Sequence, residues 1–472
     1  MSTTTRIFQS ERQKLHERLK DHLEIANHLN RKVVSFQANK EEPFYRWFKY
    51  KEGFSSSLVK YLLTNYSTKP GRVLDPFAGA GTTLFAAREL GWEGWGIELL
   101  PVGTFAMQAR EAVDNVNHEM LRSAIASLWN NLESVKPTRQ FSHIAITRDA
   151  FPDETEEWLN RYLTYCETFD DVSVKRILRF AAFTVLEDIS YTRKDGQYLR
   201  WDYRSKRKLK GKEFDKGRIL LFKEAIDGKL RQILSDLTPS TSQSLFDDET
   251  PKPQRQEIHI IEGSCLHELP MLEDDFFDFV LTSPPYCNRY DYTRTYALEL
   301  VFLGADNDRV RELRQAMLSC TVENKEKVDS IQKFYESIGA LDRFDRVLAA
   351  YKYCAAMNEV NEVLDTLNKS ERLNNSNVPR MVRNYFLEMC FVIHELARVT
   401  LSGGRCVMVN DNVRYGGEDI PVDLILSEFA EQFGLTVERI FVLPGGKGNS
   451  SQQMGNYGRT PVRKCVYLWR KD

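Results

Sequence analysis

The sequence predicts an α/β fold, a doubly wound and mostly parallel sheet carrying helical insertions. Three observations support this. GRVLDPFAGAGTTLFAARELGWEGWGIEL, from Gly71, reads as strand, glycine loop, helix and strand, the βαβ unit that implies parallel pairing. IHIIEGSCLHELP and FFDFVLTSPPY carry apolar runs suited to strands buried on both faces. The tail repeats the alternation, with the helix YFLEMCFVIHELARVTL, the strand RCVMVND, a helix near LILSEFAEQFG, and the strands VERIFVLP and RKCVYLWR.

In chain order, residues 1–43 form a helical segment, because ERQKLHERLKDHLEIANHLNRK is charged with leucines at helical spacing. The sheet-forming pieces are 44–103, 257–299 and 380–472. Between the first two lies a mainly helical insertion, 104–237, with patterns such as MLRSAIASLWNNLESV and VKRILRFAAFTVLEDIS. Residues 238–256, rich in Ser, Thr, Pro and Gln, read as a linker. A second helical insertion occupies 300–379.

Composition excludes several classes. The 472 residues carry a net charge of -2, so only a local cluster can argue for nucleic acid. No apolar run reaches the roughly 18 residues of a membrane helix, and the start lacks a signal-peptide core, so no membrane partner is expected. The eight cysteines form no C-x-x-C pair and read as reduced, buried thiols of a cytoplasmic protein. With no H-E-x-x-H among the histidines, no metal is expected.

The first strand ends in Asp75-Pro76-Phe77-Ala78-Gly79-Ala80-Gly81. Gly79 and Gly81 permit backbone angles and close ligand approach that side chains forbid. Glu98 ends the next strand, where an acid can accept hydrogen bonds from ribose hydroxyls. The third position of a G-x-G-x-x-G loop holds Leu84, and there is no G-K-[ST] beyond it. A carboxylate at Asp75 repels a pyrophosphate but pairs with an ammonium group. These features point from dinucleotides towards S-adenosyl-L-methionine. A nicotinamide-linked oxidoreductase stays open as a rival that requires pyrophosphate room at Asp75.

Two prolines after an apolar strand stop the ladder and stiffen the adjoining backbone, so Thr282-Ser283-Pro284-Pro285-Tyr286 is either a terminator or a site. DPFAGAGTT with TSPPY later in the chain resembles the DNA amino-methyltransferases, which methylate exocyclic nitrogens of cytosine or adenine. The resemblance implies a Rossmann-like methyltransferase fold of the seven-stranded type. It implies cofactor contacts from Phe54 and Ser55 in FKYKEGFSSSLVKYLL, from Asp75, Pro76, Phe77, Gly79, Gly81 and Thr82, and from Glu98 and Leu99 in GIEL. The family often has Gly-Asp where this chain has Gly263-Ser264-Cys265, so Ser264 and Cys265 stand at the adenine position without its acid.

By the same resemblance, the catalytic residues are Ser283, Pro284, Pro285 and Tyr286. Ser283 Oγ and the Pro284 carbonyl accept hydrogen bonds from the target amine, and Tyr286 stacks on a base flipped from the duplex. Ser at the first position is the family's usual mark of N4-cytosine enzymes; N6-adenine is the alternative, and a catalytically silent DNA-binding module is a third. Cys287 lies out of register for a C5-cytosine nucleophile.

For double-stranded DNA, the basic run Arg193–Arg218 supplies Arg193, Lys194, Arg200, Trp201, Tyr203, Arg204, Lys206, Arg207 and Lys208, with Tyr198 interleaved. Asn288, Arg289, Tyr292 and Arg294 come directly after the catalytic motif. The insertion 104–237 is the candidate target-recognition region. The glycine- and amide-rich loop GGKGNSSQQMGNYGRTPVRK reads as a strand connection facing DNA. A cognate restriction endonuclease is the expected protein partner.

Overall fold

The apolar runs form the centre of an eight-stranded sheet in the computed structural model, which describes residues 9–30, 32–51, 53–138, 140–195, 198–208, 213–238, 255–445 and 460–472. In chain order the strands are β1 (Leu23–Ile25), β2 (Arg72–Asp75), β3 (Glu93–Glu98), β4 (Thr192–Asp195), β5 (Tyr198–Trp201), β6 (Ile258–Glu262), β7 (Phe277–Thr282), β8 (Thr400–Asp411), β9 (Val413–Tyr415), β10 (Glu418–Ile420), β11 (Leu435–Val442) and β12 (Lys464–Lys471). The sheet order is β1-β11-β12-β8-β7-β2-β3-β6, while β4-β5 and β9-β10 are separate hairpins. All pairings in the large sheet are parallel except the two made by β12. The α/β doubly wound expectation holds, with one strand more than the seven-stranded type.

That extra strand is β1. The helical segment expected over residues 1–43 is shorter: the helix stops at Leu19, and Leu23–Ile25 pairs with β11. The helix Glu11–Leu19 buries Leu15 and Leu19 against the sheet core, and Arg12 Nε donates to Glu359 at 2.8 Å. Once the chain is tied down there, its next extended residues lie along the sheet edge.

β2 and β7 are adjacent and parallel, yet the chain visits β3 and β6 between them on the far side of β2. This reversal of strand order is a topological switch, and it opens a crevice at the strands' carboxyl ends. The two buried strands are apolar because both faces are covered: Val73, Leu74, Phe277, Val280 and Leu281 are fully buried. One face packs the helices Ala355–Lys369, Val378–Val399 and Val422–Gln432; the other packs Ser56–Tyr66 and Thr82–Arg88.

The departure at Leu84 has a local explanation. The small residues that permit close helix–strand packing sit on the strand: a Cβ at Gly94 would lie 3.2 Å from Leu84 Cα, and one at Gly96 would lie 2.8 Å from Leu84 Cδ2. Leu84 therefore fills the space that a third glycine would leave empty.

The insertions divide differently from the sequence reading. Residues 104–237 and about 290–317 share one core, whereas the helices from 328 to 369 pack against the sheet. Most of the expected linker, 239–254, and most of the tail loop, 446–459, lie outside the described residues, as does the Tyr198 side chain. No described helix is long and apolar enough to cross a membrane. All eight cysteines are buried and unbridged. The expected outcome of Gly96→Val is overlap with Leu84 and a loss of roughly 1–3 kcal/mol, read from urea unfolding.

Candidate functional site

The four parallel strands β7, β2, β3 and β6 end at one sheet edge, and each delivers one motif there. Ser283-Pro284-Pro285 continues from β7, the glycine loop from β2, Glu98 closes β3, and Gly263-Ser264 continues from β6. Together they line a cleft of about 1170 Å³, open to solvent.

Asp75 ties the two halves together. Its Oδ1 accepts Thr282 Oγ1 at 2.6 Å and the Phe77 amide at 3.0 Å, and its Oδ2 accepts Thr83 Oγ1 at 2.6 Å. Burial pushes the carboxyl up to about 6 against the lowering effect of these bonds. Glu98 is placed similarly. Its oxygens accept the Gly79 and Leu100 amides, each at 2.7 Å, while burial pushes it up to about 7. Both acids face the cleft, whose lining also includes several aromatic rings.

Asp75, Pro76, Phe77, Gly79, Thr82, Glu98, Leu99, Ser264, Cys265 and Phe54 all line the cleft. Ser264 Oγ donates to the Ala316 carbonyl at 3.1 Å, which leaves its lone pairs available. Gly81 sits behind the loop. Its φ of 78° begins the helix Thr82–Arg88, and a Cβ there would meet Met107 and Phe85 within 3 Å. Ser55 is a correction: it is fully buried, caps the helix Ser56–Tyr66 by accepting the Leu58 amide at 3.2 Å, and does not reach the cleft. A Ser two residues after Gly53 at a helix start fits a cap as well as a ligand.

Of the catalytic motif, Ser283 and Pro285 line the cleft, while Pro284 and Tyr286 do not. Ser283 Oγ lies 3.1 Å from the Val409 carbonyl at the end of β8 and 3.2 Å from Tyr286 Oη, and it can donate to either. Tyr286 is buried, with the Lys464 ammonium 5.4 Å from its ring centre. Cys287 is buried with its thiol pushed well up, an inert neighbour whose carbonyl accepts Tyr415 Oη at 2.7 Å.

The sequence reading missed much of the aromatic wall. Phe44, Tyr45, Trp47, Phe48 and Tyr50 line the cleft, as does Phe180 from the insertion. Asp236, at the end of the insertion's helix Phe222–Leu237, pins this wall by accepting the Phe44 amide at 3.0 Å, Arg46 Nε at 3.1 Å and Trp47 Nε1 at 2.8 Å. The density of aromatics in EEPFYRWFKYKEGF was the available signal.

The DNA candidates separate by exposure. Arg193, Tyr203, Arg204, Lys206 and Lys208 are exposed. Several are held by their neighbours: Arg204 by Asp202, Lys206 by Asp153, Arg200 by Asp195 and the Phe214 ring, and Arg207 over the Trp201 ring at 4.1 Å. Lys194 is a correction, because it is buried and paired with Glu299. After the motif, Asn288 accepts the Tyr290 amide, Arg289 donates to Asn374, Arg294 pairs with Glu323, and Tyr292 is buried in the cleft wall. Among the described residues no three His, Cys, Asp or Glu side chains form a metal cluster.

Comparison with known proteins bears on this geometry. The family described as DNA methylase (N6_N4_Mtase) matches residues 3–101, the stretch that holds the glycine loop and Glu98. The Type II methyltransferase M.AvaI of Nostoc sp. is 47% identical over 466 residues, 97% of this chain and 92% of its own. The protein of the same name from Anabaena variabilis gives the same values, and Type II methyltransferase M.BsoBI of Geobacillus stearothermophilus is 40% identical over 479 residues, 98% of this chain and 92% of its own.

The chain belongs to the DNA amino-methyltransferase family.

No solved structure matches it. The glycine-loop strand β2 and the Ser-Pro-Pro strand β7 meet through Asp75 and Thr282. Thr282→Val keeps the shape and removes the hydroxyl. It is expected to cost about 1–3 kcal/mol at pH 8, where Asp75 is ionised, and less at pH 5, where it is protonated; urea titrations at the two pH values check this.

Proposed function

We propose that this DNA methyltransferase uses S-adenosyl-L-methionine to methylate the exocyclic N4 of cytosine within a specific double-stranded sequence. The observation that carries the reading is the Ser283 hydroxyl on the cleft, set beside the strand end that holds Asp75. The donor set fits this cofactor. Two buried acids suit an ammonium and a ribose, and an aromatic wall attracts a sulfonium. When bound, S-adenosyl-L-methionine supplies an electrophilic methyl group.

The chain's own part is positioning. A cytosine amine is a poor nucleophile because its lone pair is delocalised into the ring. Ser283 can donate its own proton to the Val409 carbonyl, so its lone pairs are left to accept an N–H of the amine. The Pro284 carbonyl, fixed by two proline rings, is proposed to accept the second N–H. Both bonds favour a pyramidal nitrogen with its lone pair free, which is preorganisation in place of covalent catalysis. The base reaches the cleft by flipping out of the duplex. Tyr286 is proposed to bound the base pocket, with its hydroxyl helping to orient Ser283.

The Type II names of the relatives support a place as the modification half of a restriction–modification pair, with an endonuclease of the same sequence specificity as partner. On this reading the exposed cations of the basic run, together with Asn288, Arg289 and Arg294, face the duplex.

Transfer of labelled methyl groups to mixed-sequence DNA, with nucleoside analysis of the product, is expected to yield N4-methylcytosine. N6-methyladenine would replace the cytosine assignment, and C5-methylcytosine or methylated protein alone would overturn it. Ser283→Ala is expected to lower kcat by about 10²–10³-fold while DNA and cofactor binding persist.

Binding should also depend on pH. A cationic ligand favours the ionised forms of Asp75 and Glu98, which rest at about 6 and about 7 without it. Cofactor affinity therefore rises as pH climbs through this window and levels off by about pH 8. Calorimetry at pH 6.5 in two buffers of different ionisation enthalpy should show proton release, and Glu98→Gln should flatten the profile.

A further inference from the structure

Lys194 is the second residue of the basic run but faces inward. Its strand β4 alternates, with Arg193 and Asp195 exposed and Lys194 only 6% exposed. The ammonium is hydrogen-bonded to Glu299, itself 1% exposed, with Glu187 at 4.0 Å. It also lies 4.7 Å from the ring centre of Tyr296 and 5.5 Å from that of Phe48.

These rings lead straight to the cofactor cleft. Tyr296 stacks on Tyr50 with centroids 5.0 Å apart and planes 17° from parallel. The Tyr50 ring packs on the glycine loop, since a Cβ at Gly79 would be 3.0 Å from its Cε1. Lys51 closes the chain of contacts. Its amide donates to Tyr296 Oη at 2.6 Å, and its ammonium donates to the Lys194 carbonyl, also at 2.6 Å. Phe48, Tyr50, Lys51 and Gly79 all line the cleft.

A lysine that contacts phosphate has to be reachable by it, and this one is not. Desolvating an ion pair also offsets much of its attraction, so stability alone is a weak reason for burying one, whereas fixing the register of packed elements is a known use. We propose that Lys194 is a positioning residue whose buried pair with Glu299 seats the β4–β5 hairpin on the Phe48–Tyr50–Tyr296 wall. The hairpin that carries exposed Arg193 and the wall of the cofactor cleft then share one support. The inference rests on the reading of the cleft as a methyl-donor site beside a DNA-facing hairpin.

The test uses the full chain, with affinity for a mixed-sequence duplex measured across salt concentrations and affinity for S-adenosylhomocysteine measured without DNA. Wild-type protein that binds neither ligand would overturn the functional reading itself. Arg193→Ala, at an exposed cation on this hairpin, should lower the salt slope by about 0.9 and leave S-adenosylhomocysteine affinity unchanged. Lys194→Met should leave the salt slope unchanged and weaken S-adenosylhomocysteine binding by about tenfold. Tyr296→Phe should act in the same direction, and Lys194→Arg should restore most of the affinity. The double variant Lys194→Met with Glu299→Gln leaves no unpaired buried charge and supplies a folded comparator if the single variant unfolds. A salt slope reduced by about 0.9 in Lys194→Met, with S-adenosylhomocysteine affinity intact, would make Lys194 a phosphate contact and overturn the proposal. So would a fall in melting temperature with both affinities of the folded protein unchanged.

Discussion

The cleft depends on one buried carboxylate. Asp75 ends β2 and accepts a hydroxyl from the end of β7 and another from the first turn of the helix after the glycine loop. Residues about two hundred positions apart in the chain are thereby held within a hydrogen bond of each other at the sheet's switch point. Desolvation works against the ionised form and the three donors favour it, so the acid is held close to neutrality in its titration. A carboxylate in that state can answer a cationic ligand without the full cost of a bare buried charge.

The sheet edge provides only one side of the cleft. The opposite side is an aromatic wall that precedes the first βαβ unit in the chain and is pinned by Asp236 and by Lys229, whose ammonium donates to the Trp47 carbonyl at 2.9 Å. The helical insertion is thus part of the construction of the cleft. The same insertion carries the basic hairpin, so that hairpin and the aromatic wall of the cleft are packed into a single core.

The features legible in the sequence are those with a local cause. RVLD and FDFVLT were legible because burial on both faces selects apolar residues at their centres, and the glycine loop because tight turns need glycine. Leu84 broke the expected spacing, since the close packing was relieved from the partner strand at Gly94 and Gly96. Lys194 shares a run with its basic neighbours, although two-residue alternation along a strand places it opposite Arg193. Ser55 sits in a segment that resembles a cofactor contact, yet its helix start already explains it. The edge strand Leu23–Ile25 and the role of Asp236 depend on partners far along the chain, and no local pattern announces them.

The clamp at Asp236 bears on how such enzymes can be recombined. One carboxylate receives donors from three residues of a loop nearly two hundred residues upstream, and that loop forms a face of the cleft. Transplanting the helical insertion from a relative would carry away the anchor but leave behind the aromatic segment it fastens. A working graft has to move both together, so the unit of exchange is larger than the insertion and is discontinuous in the gene.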